Sequence, residues 1–306
     1  LLNTAEMTLI SVAVSLAFGM PMAWLVERTN LPGRALVFPM LMLTLLVPGI
    51  FTAMGWLYLA HPRIGLLAGI LPYLGSPNIL SVWGMGVITG INLSSLVFIM
   101  LSASFRAVDA SLEESAEIHG VGLFWRLRTI TLPLLWPSIL GAVIYIAMIA
   151  MATFDVPAVI GMSAQIYTFS TLIFAYVYPQ MGLPNFGIIA ATGCIMIVVG
   201  LIFSWFYLRV IQQSHKYMVV KGKNYRAKTY ELSLGLKVFG WGLIGVNIGA
   251  SLILPLLILG WISLLPYVQP FSLDALQSMS FDSFRGIPYA FWLSTKNTAI
   301  LTFSVP

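Results

Sequence analysis

The sequence predicts an all-α, polytopic membrane protein with about six transmembrane helices and the start of a seventh. Three observations carry that expectation. Only 8% of the 306 residues are charged and 59% are hydrophobic, with a mean hydropathy of +0.95; soluble domains carry roughly 25% charged residues. Several uncharged apolar stretches exceed the roughly 20 residues that a helix needs to cross a bilayer. The Lys and Arg residues also alternate along the chain: loops 27–34, 102–138 and 209–237 hold twelve of them, whereas 61–78, 162–185 and 266–296 hold three. Cytoplasmic loops are the ones enriched in such residues. This bias places the first set of loops in the cytoplasm and the N-terminus outside, so the net charge of +5 is a topology signal and no footprint for nucleic acid.

The first span covers about residues 5–26, with Glu6 at its outer end and Pro21 near its inner end. No basic segment and cleavage site precede it, so it reads as a retained span and not a signal peptide. The short turn-rich loop 27–34 leads to a second span, 35–60, with a kink expected near Pro48-Gly49; neighbouring helices can satisfy the carbonyls that a membrane proline frees. Residues 61–78 read as an external loop with a re-entrant or amphipathic piece, and 79–101 as span three, in which Asn92 is the only strongly polar side chain. Span four, about 139–154, ends at Asp155-Val156-Pro157, because a residue before proline is pushed out of the helical region. An external interfacial segment (161–185) precedes span five at 186–208, a basic linker (211–237), and span six within 238–265. The basic stretch 216–228 suits a topology determinant facing anionic lipid. Trp56, Trp205 and Tyr207 suit interface anchors. Residues 266–306 read as an external segment and the start of a second, truncated repeat: Asn3-Thr4-Ala5-Glu6-Met7-Thr8 recurs as Asn297-Thr298-Ala299-Ile300-Leu301-Thr302 in the same orientation, as a duplicated transporter half requires. Both ends of the chain look cut.

Several classes of chemistry find no residues to carry them. No G-x-x-x-x-G-K-[ST] loop occurs; Lys221-Gly222-Lys223-Asn224 lacks the flanking glycine and the hydroxyl. His61, His119 and His215 fall on separate loops, so no metal site is expected among them. No Ser/His/Asp set is gathered at a membrane face, and the single Cys194 lies in an apolar run as a packing residue. No cofactor is expected in this chain.

One polar stretch stands out between two apolar spans: ASLEESAEIHGVGLFWRLRTITLPLLWP, residues 110–137. Asp109 or Ser111 can cap a helix, and Ser111 with Glu114 fits a capping box. Glu113 and Glu114 fall in the first turn, where the helix dipole favours carboxylates. Leu112, Ala116 and His119 recur at helical spacing, and Gly120 supplies a left-handed stop. A second short helix follows with Phe124 and Trp125 exposed together, and Pro133 and Pro137 mark re-entry towards the membrane. A plain connector between adjacent spans needs only a few residues, and this one uses more than thirty.

Glu114-Ser115-Ala116, then Gly120, then Ile130-x-Leu132-Pro133 resembles the EAA loop of permease subunits in binding-protein-dependent ABC importers. The one departure is Ser115, where alanine is usual. The resemblance covers about residues 1–210 as one MetI-like permease domain. It implies that loop 102–138 carries coupling helices that dock into a groove on a separate ATP-binding ATPase subunit, with Glu114, Ser115, Ala116, His119, Gly120, Phe124, Leu132 and Pro133 as the docking residues. It further implies a bacterial inner-membrane protein that is not itself an enzyme, with two ATPase subunits and a periplasmic substrate-binding protein as partners. ERTNLPGR at 27–34, FDVPAVIG at 154–161 and the repeat at Asn297 are similar to the iron(III)-type permeases that fuse two such domains. Ferric iron is therefore the first substrate expectation, with polyamine, thiamine or phosphonate as alternatives.

Asp155, Asn92 and Asn247 are the polar candidates for a translocation path, since ionisable groups within spans are functional candidates. Asp155 could equally cap a neighbouring segment. The rival class is an ion-coupled secondary transporter, in which Glu6 and Asp155 are the ion-binding groups.

Overall fold

A computed structural model describes residues 1–75, 78–108, 110–179, 182–214 and 229–304. Among the described residues the architecture is helical, and the only β-type pairing is an isolated parallel bridge between Thr29 and Tyr230. Five helices are long and apolar enough to cross a membrane, and two bent pairs raise the number to seven if each counts as one span.

Helix α1 (Leu2–Arg28) is the first span. The second is broken: α2 (Val37–Leu46) and α3 (Gly49–Ala60) meet at 87° across Val47 and Pro48. The expected kink is thus a right-angled break. Proline fixes its own φ and disfavours the helical region for the residue before it, and Val47 is accordingly extended (ψ 119°). Helix α4 (Val82–Ala107) starts at Ser81, whose hydroxyl accepts from the Gly84 N–H at 3.0 Å, and continues six residues beyond the apolar run read from sequence.

Helix α5 (Ala110–Ile118) and helix α6 (Leu123–Arg126) follow, then a π-helical turn (Leu127–Thr131) leading straight into α7 (Leu132–Ala152). The span from Leu123 to Ala152 is continuous. Residues 123–138 therefore belong to the span-four helix and not to a loop. Pro133 follows that π turn directly, and the widened turn leaves room for its ring; Pro137 lies inside α7 without ending it. The same device recurs before Pro255, where a π turn (Gly249–Ile253) joins α10 (Leu234–Ile248) to α11 (Leu254–Ser263). Between these lie a bent pair at 74°, Pro157–Ala164 with α8 (Phe169–Val177), and then span five, α9 (Phe186–Ser214). Pro157 starts the first arm of that pair, while span four already ends at Thr153. The short α12 (Leu273–Gln277) and α13 (Asp282–Arg285) precede α14 (Tyr289–Ser304), which buries no residue against the rest of the chain.

The most extensive packing is α1 against α4. Without a solvent-driven term between helices in lipid, close approach through small residues supplies the contact. Gly86 and Gly90 of α4 present that surface: a Cβ on Gly90 would lie 2.6 Å from Val14 Cβ and 2.8 Å from the Ser11 carbonyl oxygen. Hydroxyls add interhelical bonds, Ser11 Oγ to the Gly86 carbonyl at 3.1 Å and Thr44 with Ser95 at 2.7 Å. The core built on these helices includes Met22, Leu25, Val97, Phe98, Leu101 and Phe105, and α7 and α10 close it with Ile146 and Ile244. By contrast α9 is largely unburied, with Val198, Leu201, Ile202, Trp205 and Phe206 facing outward.

Candidate functional site

The end of α1 with residues 29–34, the segment 106–131 and residues 229–233 meet at one end of the bundle, and each belongs to one of the three stretches, 27–34, 102–138 and 209–237, that share the Lys and Arg bias. Glu27 takes two hydrogen bonds from Arg106, from Nε at 3.0 Å and Nη2 at 2.6 Å. Beneath it, the backbone pairs Tyr230 with the end of α1: the Tyr230 N–H donates to the Arg28 carbonyl at 2.8 Å, and the Asn30 N–H donates to the Tyr230 carbonyl at 3.0 Å.

The helix α5 is held from below by one carboxylate. Glu113 is fully buried and ion-paired with the equally buried Arg28. Thr131 Oγ1 donates to Glu113 Oε1 at 2.6 Å, and the Tyr230 hydroxyl donates to Oε2 at 2.7 Å. Arg28 Nη1 also donates to the Val108 carbonyl at 3.1 Å. Burial, and then the Glu113 carboxylate that takes its hydrogen bond, push the Tyr230 phenol well above its usual range, so it stays a neutral donor. Arg126 lies over the Tyr230 ring, 5.3 Å from the centroid, with Nη1 2.9 Å from Glu117 Oε2 in an ion contact.

Sequence reasoning singled out Glu114 and missed Glu113. Adjacent helical residues point about 100° apart, so one carboxylate turns into the bundle and the other, Glu114, is exposed. Asp109 lies outside the described residues, as do 215–228 with the basic stretch, and the side chain of Ser111 is likewise not described, so the capping-box partner of Glu114 is not seen. Arg28 read only as a topology charge and Tyr230 not at all. The available signal was a basic residue at the end of an apolar span with acidic residues in the next loop on the same face.

The remaining loop residues form the outer surface. Ser115 is exposed and its carbonyl lies 2.8 Å from His119 Nδ1, which donates in the Nδ1–H tautomer. Gly120 adopts φ +76°, with its N–H bonded to the Glu117 carbonyl and the Val121 N–H to the Ala116 carbonyl. This is the Schellman stop expected of a C-terminal glycine. Among the described residues, its two chain neighbours apart, none lies within 4 Å of a Cβ built on Gly120. Ile118 (85% exposed), Phe124 (70%) and Trp125 (59%) stand out beside it, Ala116 and Leu132 are half-buried, and Pro133 is exposed. The loop is thus clamped on its inner side and presents an apolar, aromatic face on its outer side.

The path candidates are scattered. Asn247 is buried, its Nδ2 donating to Ser94 Oγ at 2.5 Å between α10 and α4. Asn92 is half-buried on α4. Asp155 is half-buried with its Oδ2 2.8 Å from the position of a Cβ on Gly49, at the start of α3. Among the described residues no three His, Cys, Asp or Glu side chains are grouped to hold a metal ion.

Residues 15–214 match the family described as binding-protein-dependent transport system inner membrane component. The chain is 30% identical over 226 residues to the sulfoquinovosyl glycerol transport system permease protein SmoG of Agrobacterium fabrum, covering 69% of this chain and 70% of that one. It is 28% identical to the trehalose/maltose transport system permease protein MalF of Thermococcus litoralis, covering 68% and 72%, and 30% identical to the molybdenum transport system permease protein ModB of Escherichia coli, covering 45% and 61%. A crystal structure of a bacterial ABC transporter that imports alginate matches at a TM-score of 0.47 and 19% identity, covering 70% of this chain and 79% of that one. With a polytopic helical fold and a family match that runs from α1 through the clamped loop to the end of α9, the chain belongs to the inner-membrane permease family of binding-protein-dependent ABC importers.

Proposed function

We propose that this permease couples a separate dimer of ATPase subunits to solute movement, with α5 and α6 as the coupling helices. The observation that carries this reading is the exposed Ile118–Phe124–Trp125 face on a loop whose opposite side is locked by the buried Glu113. A solvated loop leaves such an apolar cluster open only where a protein or membrane surface covers it, and a rigid element passes on a rigid-body shift where a loose one absorbs it. Glu114, Ser115, Ala116, His119, Gly120, Phe124, Leu132 and Pro133 form the ATPase-facing surface. The permease lies in a bacterial inner membrane with this face in the cytoplasm, and a periplasmic binding protein delivers the solute at the opposite end.

Two solute classes are to be compared. Two relatives that match more than two thirds of this chain are named for sugar-type solutes, which supports a sugar or another small hydrophilic solute. Ferric iron rests on ERTNLPGR, FDVPAVIG and the repeat at Asn297; without a metal-binding cluster among the described residues, it would have to cross with few fixed ligands. The path candidates Asp155, Asn92 and Asn247 keep a role only as polar points along a sparse pathway.

Proteoliposomes holding the full-length permease, its neighbouring ATPase and binding protein decide between importer and ion-coupled carrier. Uptake is expected to require ATP and to persist with ion gradients collapsed by an ionophore. Uptake that survives ATP depletion and stops with the gradient contradicts the proposal and favours the secondary carrier.

A further inference from the structure

Residues 229–263 follow the family match, which ends at 214. Yet the structure ties them to the coupling loop more closely than chain connectivity does. Helices α4 and α7 reach the loop covalently. Among the described residues, helices α1 and α10 reach it through side chains: Arg28 at the end of α1 and Tyr230, four residues before α10, both end on the Glu113 carboxylate. The same two segments are paired by backbone hydrogen bonds, and Leu232 N–H adds a bond to Asn30 Oδ1 at 2.8 Å. We propose that Glu113 and Tyr230 are positioning residues of the transport cycle, locking α5 to α1 and α10 so that a shift of the coupling loop turns both helices with it.

This inference rests on the importer reading and adds a route to it. Buried ion pairs are poor sources of stability compared with apolar packing. Placing a charge, a guanidinium, a phenol and a hydroxyl at one closed point has another effect: its directional bonds are short-ranged, so the partners move together or the charge is left unpaired. From Tyr230 the contact runs on. Trp24 of α1 packs on its ring, with centroids 6.4 Å apart. The π turn after α10 accepts a hydrogen bond from Trp56 Nε1 at the Ala250 carbonyl, 2.9 Å, and α11 presses so closely on α3 that a Cβ on Gly55 would lie 2.5 Å from Pro255 Cα. Helix α3 is the outer arm of the span broken at 87°. The node therefore links the loop, by way of α10 and α11, to the arm of the second span that follows its 87° break. Contiguity alone does not establish coupling, and the test reads coupling itself.

The test uses Tyr230→Phe, which keeps the ring between Trp24 and Arg126 and removes only the donor, and Glu113→Gln, which keeps the shape and removes the charge. In the reconstituted transporter, both variants are expected to assemble with the ATPase and hydrolyse ATP, while solute moved per ATP falls about tenfold. Independently, spin labels at Ile118→Cys and Phe239→Cys, both exposed sites, are placed in a Cys194→Ser background of the permease. One narrow distance is expected with native Tyr230 and Glu113, and a broadened one in each variant. An unchanged solute-to-ATP ratio in a variant that assembles overturns the proposal. If neither variant assembles, the label distance decides, and an unbroadened distribution overturns it. Failure of the native permease to bind any ATPase sinks the importer reading and leaves the label measurement to judge the node.

Discussion

Glu113 and Glu114 are neighbours in sequence with opposite surroundings, and substitution separates them. Glu113→Ala leaves the buried Arg28 guanidinium without its counter-charge, a loss of about 3–5 kcal/mol where one partner of a buried pair is removed. A clear drop in the thermal midpoint of the detergent-purified permease is expected. Glu114→Ala, at an exposed site, should change that midpoint within about 0.5 kcal/mol and act instead on affinity for the ATPase. Tyr230 adds a pH dependence with a defined sign. Its phenol is raised in the folded state, so its contribution is complete below the unfolded value of about 10 and is lost as pH rises through the folded one. The stability difference between native permease and Tyr230→Phe should be constant from pH 7 to 9 and shrink above about pH 10; a difference that already falls between pH 7 and 8 contradicts the assigned donor. Only a hint of this node was legible in one dimension, a basic residue closing a span with acidic residues in the next loop on the same face, and nothing in it pointed to Tyr230. Arg28, Glu113 and Tyr230 are separated by 85 and 117 residues along the chain, and no periodicity joins residues so far apart.

At the scale of elements, glycine sets two different limits. Gly120→Leu forces a side chain into φ +76°, a left-handed conformation that costs roughly 1–2 kcal/mol, but its Cβ meets no described residue beyond its chain neighbours. Membrane insertion should survive while uptake is lost and ATP hydrolysis becomes uncoupled; normal uptake would reduce the loop to a connector. Gly90→Leu does the reverse, since its Cβ collides with Val14 and Ser11. Overpacking of that kind costs about 1–3 kcal/mol or more and should show as poor yield and early thermal unfolding. The helices themselves were legible from apolar length, and the glycine stop from its position after a short amphipathic run. Their ends were not. The sequence expectation began span four at residue 139, whereas the helix is continuous from Leu123, because neither Pro133 behind a π turn nor Pro137 within a membrane helix stops it. The right-angled break at Val47-Pro48 appeared in sequence only as a kink, since proline dictates that a helix is interrupted but neighbours decide the angle.

Across the whole molecule, the charge bias and the structure agree on which loops share an end, and the family match covers the residues from α1 to α9 that build it. Solute identity did not emerge from sequence at this scale: a path made of Asn92, Asp155 and a buried Asn247 offers too few polar groups to specify one. The exposed faces of α9 and α14 were legible only as apolar spans. The central claim is that the outer face of α5 and α6 receives an ATPase subunit. Its most direct measurement is site-specific cross-linking from Trp125→Cys, in a Cys194→Ser background, with the co-expressed full-length transporter in native membranes. A cross-link to the ATPase subunit whose yield changes when ATP is bound is the predicted result. The absence of any ATPase adduct at Trp125, with a control Cys in the outer segment at Tyr73 equally unreactive and the subunits still co-purifying, would contradict it.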